Sequence, residues 1–205
     1  MKIKTLLLGN MQTNGYVVSD ENHHCLIIDP GANGKKVVHY LTENELVPEA
    51  VLLTHGHFDH IGAVDYLYEH YHCPIYLHQD DLEMLDNPQL NLSVYENPFT
   101  VKAPVQASHE EMKFGDFDVQ WLHLPGHCQG SSMIYLKDEN IIFSGDVLFK
   151  GSIGRFDFPN SSKYETIESI NKIKEYDFDA VIYPGHGPNS TLSEDRLNNP
   201  YLKKS

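Results

Sequence analysis

The chain has 205 residues, 40% of them hydrophobic, and a formal net charge of −14. Its length and hydrophobic content predict a single globular domain over residues 1–205 with a sizeable core. The acidic balance argues against binding to nucleic-acid phosphates, and no apolar stretch approaches the ~20 residues of a transmembrane helix.

The first half of the chain alternates short apolar runs with helical patterns. We predict strands near 2–8, 15–19 and 24–28, a helix near 34–45, a strand at 50–54, a helix at 61–72, a strand at 74–77 and a helix at 79–86.

Residues 87–104 are irregular, with three prolines and many asparagines. A long loop inside a compact domain is usually functional or mobile. We therefore predict a lid or wall over a site between the two halves, with a plain surface connection as the alternative.

The second half repeats the alternation of strands and helices. We predict strands near 100–106, 117–124, 131–136 and 140–144, a helix near 163–175, a strand at 180–183, and a short last helix with Ser193 as its N-cap.

The densest group of metal-binding side chains lies in the turn between the 50–54 strand and the 61–72 helix. His55 and His57 are two residues apart, so in extended backbone they project to the same side. Asp59 and His60 follow where the chain has begun to turn, and they can aim at a second point. One loop can therefore supply two adjacent metal ions.

Three further candidates, His127, Asp146 and His186, each follow a strand-like run and a glycine. Glycine permits a sharp turn and a close approach of the backbone to a metal ion. Residues at the ends of several strands meet on one rim of a sheet scaffold, so we expect these three to join the first group.

Histidine nitrogens and carboxylate oxygens suit Zn²⁺, and also Fe or Mn. We assign His55, His57 and His127 to one ion, Asp59, His60 and His186 to a second, and Asp146 to a bridging position. Two ions roughly 3.5–4 Å apart can hold a hydroxide and clamp the attacked oxygen. Asp59 can orient the hydroxide as well. The alternative is that these residues are scattered polar side chains.

The ordered motifs resemble those of the metallo-β-lactamase superfamily. They are Asp29-Pro30-Gly31, the run from Thr54 to His60, Pro125-Gly126-His127, Ser144-Gly145-Asp146 and Pro184-Gly185-His186-Gly187. The resemblance implies an α/β fold, a four-layer αββα sandwich with a dinuclear site at one edge of the paired sheets. Asp29 would then steady the loop that carries His55 and His57, or it would serve only as a turn former.

Residues 126–131 and 145–155 look most like the glyoxalase II group, which hydrolyses hydroxyacyl thioesters of thiols such as glutathione. The resemblance implies that Arg155 contacts a carboxylate of the thiol carrier, as a guanidinium can. The alternative is an ion pair with Asp157 that orders the loop. Asp157 and Pro188 stand where that group has tyrosines, and we expect no C-terminal helical glutathione-binding domain after His186.

The sequence thus predicts a metal-dependent thioesterase that acts on a small acyl-thiol, with Asp59 and Asp146 as catalytic residues. The nearest alternative is a persulfide dioxygenase with one iron held by His55, His127 and Asp146. A lactonase and a non-enzymatic metal-binding or regulatory module are the others.

Three widely spaced cysteines, Cys25, Cys73 and Cys128, without a Cys-x-x-Cys motif, indicate a reduced protein. With no signal-peptide pattern at the start, we expect a cytoplasmic monomer or small homo-oligomer. Cys128 adjoins His127 and could modulate the site, although a structural role is favoured.

Overall fold

Two six-stranded sheets form the centre of the computed structural model, which describes residues 1–203. The first sheet contains, in both chain and spatial order, β1 (Lys2–Leu8), β2 (Thr13–Ser19), β3 (His24–Ile28), β4 (Val47–Leu52), β5 (Ile75–Leu77) and β6 (Val105–Ala107). The first three strands pair antiparallel, and β3 to β6 pair parallel. The ends of β3 and β4 are buried on both faces, as interior parallel strands require.

The second sheet is mixed. The chain first forms β7 (Glu111–Phe114), β8 (Phe117–His123), β9 (Ser132–Leu136) and β10 (Ile141–Gly145) of this sheet. A small separate hairpin of β11 (Leu148–Phe149) and β12 (Ser152–Ile153) follows. The chain then returns to the sheet with β13 (Val181–Pro184) and β14 (Ser190–Thr191). The spatial order is β14-β13-β10-β9-β8-β7, and only the β10–β13 pair is parallel.

Helices cover the outer faces of both sheets. They are α1 (Gly34–Glu43), α2 (Phe58–Ile61), α3 (Val64–Tyr71), α4 (Leu82–Asp86), α5 (Lys163–Lys174) and α6 (Leu192–Asn198), with short 3₁₀ turns at Gln79–Asp81 and Ser93–Tyr95. None of the helices in residues 1–203 combines the length and apolar character needed to cross a membrane.

Three separate apolar layers hold these elements together, which confirms the predicted αββα sandwich. Because side chains alternate along a strand, Val17 packs toward α1 and α3 while Val18 packs between the sheets. Phe143 fills the middle layer from the second sheet, and Ile142 beside it packs outward with Ile173 of α5.

The structure corrects several predicted elements. The predicted 61–72 helix corresponds to α3, and it is preceded by a separate helix, α2, that already begins at Phe58; Gly62 and Ala63 separate the two. The predicted strand at 100–106 is wrong except near its end, because the amides of Lys102 and Ala103 donate to the Asp65 carboxylate instead of to a strand. The strands β7, β11, β12 and β14 were not predicted.

The predicted cap of the last helix is also wrong. The helix begins at Leu192, and the Glu194 amide nitrogen donates to the Thr191 hydroxyl oxygen at 3.1 Å. Ser193 lies inside the first turn.

Residues 87–104 form a hydrogen-bonded loop that packs against α2. The Asn91 carbonyl accepts the Phe58 amide at 2.8 Å, and the Asn91 side chain is buried. Phe99, in the same loop, joins Phe58 and Asp59 in lining a cavity of about 230 Å³. The loop thus forms a wall beside the residues that follow β4.

Candidate metal centre

Four of the seven predicted ligands follow β4, with His55 and His57 in the loop and Asp59 and His60 in α2. His55, His57 and His60 are all buried, and the Asp59 side chain is 12% exposed. His57 is in extended conformation directly before α2, so the chain turns between His57 and Asp59. This turn sends the two pairs of side chains toward different points, as the spacing predicts.

The second sheet carries the other three predicted ligands at or just beyond the ends of its strands. His127 lies in the loop between β8 and β9, Asp146 directly follows β10, and His186 follows β13. The first sheet meets this edge through Asn14, whose amide donates to the Gly185 carbonyl at 2.8 Å. The structure therefore brings all seven predicted residues to one edge of the sandwich.

A first group of side chains consists of His55, His57 and His127. The Nε2 atom of His127 lies 3.0 Å from Nδ1 of His57, and the His55 ring lies 4.8–4.9 Å, centre to centre, from both of these rings. Cys128 joins this group, because one potential ligand atom from each of the four residues lies within 4.8 Å of the others.

A second group consists of Asp59, His60 and His186. Oδ2 of Asp59 lies 3.2 Å from Nε2 of His186 and 3.6 Å from Nε2 of His60. The Thr13 hydroxyl donates to the same oxygen at 2.8 Å, which fixes the carboxylate.

Asp146 lies between the two groups. Its Oδ2 is 3.6 Å from Nε2 of His127 in the first group and 3.6 Å from Nε2 of His186 in the second. Its Oδ1 is 3.4 Å from Nε2 of His60. A carboxylate in this position can bridge two ions.

Three buried atoms in the cluster have no hydrogen-bond partner within residues 1–203: Nε2 of His55, Nε2 of His60 and Oδ1 of Asp146. An unpaired buried polar atom is costly, so such groups normally have a partner. The Nε2 atoms of His55 and His60 face the centre of the cluster while their Nδ1 atoms contact Thr54 and Asp29. This arrangement fits divalent ions that accept nitrogen and oxygen ligands.

The protonation of the histidines differs between the two groups. Burial lowers the pKa of His55, and it lowers that of His57 to about 3, so these rings are neutral. Burial acts in the same direction on His60, but the carboxylates of Asp59, Asp146 and Asp29 outweigh it and raise its pKa well above the usual value. Without an ion, His60 carries the compensating positive charge.

Asp29 fixes the ligand loop, as the family resemblance implies. Its Oδ1 accepts the Thr54 amide at 2.8 Å, and its Oδ2 accepts the Thr54 hydroxyl at 2.6 Å and lies 2.9 Å from His60 Nδ1. One carboxylate therefore holds both the residue before His55 and the His60 ring.

Asp81 is a positioning residue that the sequence analysis missed. Its buried carboxylate accepts the Gly56 amide at 3.1 Å and the Gly130 amide at 2.6 Å. It joins the loop of His55 and His57 to the loop of His127. Burial raises its pKa to about 7, against the lowering effect of these two hydrogen bonds.

Arg155 lies at the border of the site. Its guanidinium makes two hydrogen bonds to Asp157, at 2.9 and 3.0 Å, and lies 4.5 Å from the centre of the Phe158 ring. The Phe158 ring in turn packs edge-on against His57. The backbone carbonyl of Arg155 reaches the cluster, 2.7 Å from His127 Nδ1, but the charged group does not.

Gly185 is required where the two sheets meet at the site. A Cβ atom at this position would collide with Oδ1 of Asp146 and with Cε1 of His60. The glycine that precedes His186 thus allows the backbone to approach two other members of the cluster.

Comparison with known proteins gives a consistent result. The family model described as the metallo-beta-lactamase superfamily matches residues 8–186. YqgX of Bacillus subtilis, described as a probable metallo-hydrolase, is 38% identical over 209 residues, which cover 98% of each chain. GloC of Haemophilus influenzae, described as a hydroxyacylglutathione hydrolase, is 31% identical over 208 residues, again 98% of each chain.

Solved structures agree with this assignment. The BLEG-1 B3 metallo-β-lactamase aligns with a TM-score of 0.93 and 36% identity, over 99% of this chain and all of that one. TTHA1623 in a di-iron-bound form aligns at 0.87 and 36%, over 97% of this chain and all of that one. ETHE1 from Myxococcus xanthus aligns at 0.79 and 25%, over all of this chain and 86% of that one. The chain therefore belongs to the metallo-beta-lactamase superfamily and is a metal-dependent hydrolase.

Proposed function

We propose that this hydrolase is a thioesterase of the glyoxalase II type, which cleaves small hydroxyacyl-thiol thioesters at a dinuclear centre. The position of Asp146 supports a dinuclear centre, because its Oδ2 atom lies 3.6 Å from a histidine Nε2 atom in each ligand group. The similarity to GloC, which is described as a hydroxyacylglutathione hydrolase, supports the choice of thioester.

In this proposal His55, His57 and His127 would hold one ion, Asp59, His60 and His186 would hold the other, and Asp146 would contact both. Bound divalent ions supply Lewis acidity and lower the pKa of a coordinated water to about 7. The ligand atoms are nitrogen and oxygen, which favours Zn²⁺ and also accommodates Fe or Mn.

The chain's own residues orient the reactants. Asp59, fixed by the Thr13 hydroxyl, accepts a hydrogen bond from the attacking water and directs it to the thioester carbonyl. The departing thiolate is a good leaving group, so no side chain need act as a strong general acid. Arg155, at the exposed border, offers a positive charge to an anionic group of the thiol carrier.

Metal counting together with a hydrolysis assay tests the proposal. The protein is purified without added metal, its metal content is measured by mass spectrometry, and hydrolysis of S-D-lactoylglutathione is followed. About two ions per chain with turnover is the expected result. Bound metal without hydrolysis of this or other acyl-thiols would refute the thioesterase assignment.

A ligand variant tests the residue assignment. Replacing a residue that only orients a metal ligand lowers metal affinity or activity by about 10–100-fold. His57 is itself a proposed ligand, so the activity of His57→Ala is expected to fall by more than this. His70→Ala, an exposed histidine on α3, is the matched control and should keep full activity. Wild-type turnover by His57→Ala would contradict the mechanism.

Three other reactions are tested in the same assay series. The 36% identity to a B3 metallo-β-lactamase favours testing a chromogenic cephalosporin. The similarity to ETHE1 favours testing oxygen uptake with glutathione persulfide, the reaction of the mononuclear-iron alternative. One iron per chain with oxygen uptake and no hydrolysis would establish that alternative, and a lactone panel covers the lactonase.

A further inference from the structure

The cavity of about 230 Å³ beside α2 lies between the β1–β2 turn, the start of α1 and the loop of residues 87–104. Much of its wall is apolar, with side chains from Leu8, Met11, Ala32, Phe58 and Phe99. A lactoyl group would fill only part of this volume, so the cavity has room for a larger acyl group.

Hydrogen bonds between distant segments hold the walls of the cavity in place. The Gly9 amide donates to Oδ1 of Asn33 at 2.8 Å and so joins the β1–β2 turn to the start of α1. The Phe58 amide donates to the Asn91 carbonyl at 2.8 Å and joins α2 to the 87–104 loop. The cavity is therefore formed by the fold itself, as ligand pockets usually are.

The cavity and Arg155 border opposite ends of the metal-binding cluster. Asp59 belongs both to the cavity wall and to the second ligand group. The Arg155 guanidinium lies over the Phe158 ring, which packs edge-on against His57 of the first ligand group. Asp146 lies between the two groups. The cluster therefore separates the cavity from Arg155.

A thioester bound at this cluster extends in two directions. Its carbonyl carbon carries the thiol sulfur on one side and the acyl chain on the other, and this carbon must lie at the centre of the cluster to be attacked. If the anionic group of the thiol carrier reaches Arg155, the acyl chain extends toward Asp59 and the cavity.

The charge of the cavity limits which acyl groups it can accept. Its charged groups are the carboxylates of Asp59 and Glu96, and no lysine, arginine or histidine within residues 1–203 lines it. A carboxylate at the end of the acyl chain would therefore meet negative charge without a compensating cation. A hydroxyl can hydrogen-bond to the side-chain amides of Asn10 and Asn97, which also line the cavity.

We propose that this cavity binds the acyl group of the thioester and selects uncharged acyl groups, including aromatic hydroxyacyl groups, over those that end in a carboxylate. Met11 and Glu96 are then residues that determine specificity. The inference rests on the proposed thioesterase function and on Arg155 as the contact of the thiol carrier, and it adds the class of acyl group.

A charge reversal at Glu96 tests the selection against carboxylates. The kcat/KM of the metal-loaded full chain is measured for S-D-lactoylglutathione, S-D-mandeloylglutathione and S-succinylglutathione. Glu96→Lys replaces repulsion with attraction, so the kcat/KM for the succinyl thioester should rise about 2–10-fold relative to the lactoyl thioester. Glu21→Lys makes the same charge change in the β2–β3 turn, outside the cavity, and should leave this ratio unchanged.

A larger side chain at residue 11 tests the occupancy of the cavity by the acyl group. Met11 is 51% exposed, so Met11→Trp should fold normally while it narrows the cavity. We expect the kcat/KM for the mandeloyl thioester to fall about 10-fold and that for the lactoyl thioester to change little. Leu7→Trp is the matched control, because Leu7 is 55% exposed and lies outside the cavity.

A binding experiment follows occupancy of the cavity without turnover. S-benzylglutathione is a thioether that has no carbonyl to attack, and its aromatic ring takes the place of the acyl group. In a nuclear magnetic resonance titration the amide signals of Gly9, Gly31 and Gly62, which line the cavity, should shift. Glutathione, which lacks the ring, should leave these three signals in place.

Two results would overturn the inference alone. One is turnover of S-D-lactoylglutathione with the acyl selectivity of wild type in both Glu96→Lys and Met11→Trp. The other is a set of benzyl-induced shifts confined to residues outside the cavity. Metal-loaded protein that cleaves none of the three thioesters would refute the thioesterase proposal, and the inference with it.

Discussion

The Asp29 carboxylate lies 2.9 Å from Nδ1 of His60, and both side chains are buried. Asp29 reaches this position from a left-handed backbone conformation, with φ of 47°. A carboxylate on the outer nitrogen fixes the orientation of the ring and increases the basicity of the inner nitrogen. The pair thus prepares His60 to bind an ion through Nε2.

Replacement of Asp29 tests this preparation. Asp29→Asn keeps the shape of the side chain but replaces one carboxylate oxygen with an NH₂ group. Oδ2 of Asp29 accepts from two donors, the Thr54 hydroxyl and His60 Nδ1–H, and an NH₂ group in its place could accept from neither. We expect metal affinity to fall about 10–100-fold in a chelator competition assay. Asp20→Asn is the control, since the Asp20 carboxylate also accepts hydrogen bonds, from two backbone amides, but lies in the β2–β3 turn. Equal losses in both variants would contradict a specific role for Asp29.

Metal binding should release protons. In the metal-free protein, His60 and His186 have pKa values above 6.5, because nearby carboxylates outweigh the effect of burial. An ion must displace these protons to reach Nε2, whereas the neutral His55 and His57 release none. Affinity for Zn²⁺ should therefore rise with pH, by about one log unit per pH unit for each proton released.

Calorimetric titration with Zn²⁺ in two buffers of different ionisation enthalpy measures the released protons directly. His186→Gln removes one source and should reduce the number released at pH near 7. Binding without proton release at this pH would show that His60 and His186 are already neutral.

Asp81 should contribute to stability as well as to the geometry of the site. Asp81→Ala leaves two buried amide hydrogens unpaired, and each costs about 1–3 kcal/mol. We expect the free energy of unfolding of the metal-free protein, measured in urea, to fall by about 2–6 kcal/mol. The neighbouring Asp80 side chain is 44% exposed, so Asp80→Ala should change it by less than about 0.5 kcal/mol. Similar effects of the two variants would argue against the Asp81 clamp.

The comparison of Asp80 and Asp81 shows what the sequence could not reveal. Both read as surface acids in a short helix, and no local pattern distinguishes them. Asp81 is buried because it meets Gly56 and Gly130, which are 25 and 49 residues away in the chain. The contact of His57 with Cys128 spans 71 residues. Such partners are set by the packing of the two sheets, which spacing alone does not describe.

The convergence of the seven candidate ligand residues was predictable for the opposite reason. Four of them, His55, His57, Asp59 and His60, lie within six residues at a strand-to-helix turn, so their spacing determines where they point. His127, Asp146 and His186 follow strong apolar strands, and strand ends meet at a common edge. The strands β11, β12 and β14 have two residues each, which is too short to show the alternation of apolar and polar residues that predicts a strand. Their formation depends on neighbouring strands.

Arg155 and Asp157 provide the last prediction, which concerns substrate affinity. Both side chains are largely exposed, and each shifts the pKa of the other toward the charged form through their hydrogen bonds. If Arg155 binds an anionic thiol carrier, Asp157 competes with the substrate for the guanidinium. Arg155→Gln should raise KM for S-D-lactoylglutathione about 2–5-fold with little change in kcat, as expected for one exposed charge contact. Asp157→Asn should lower KM, and both effects should diminish at high salt. If Asp157→Asn instead raises KM as Arg155→Gln does, the ion pair serves to order the loop and the anion is bound elsewhere.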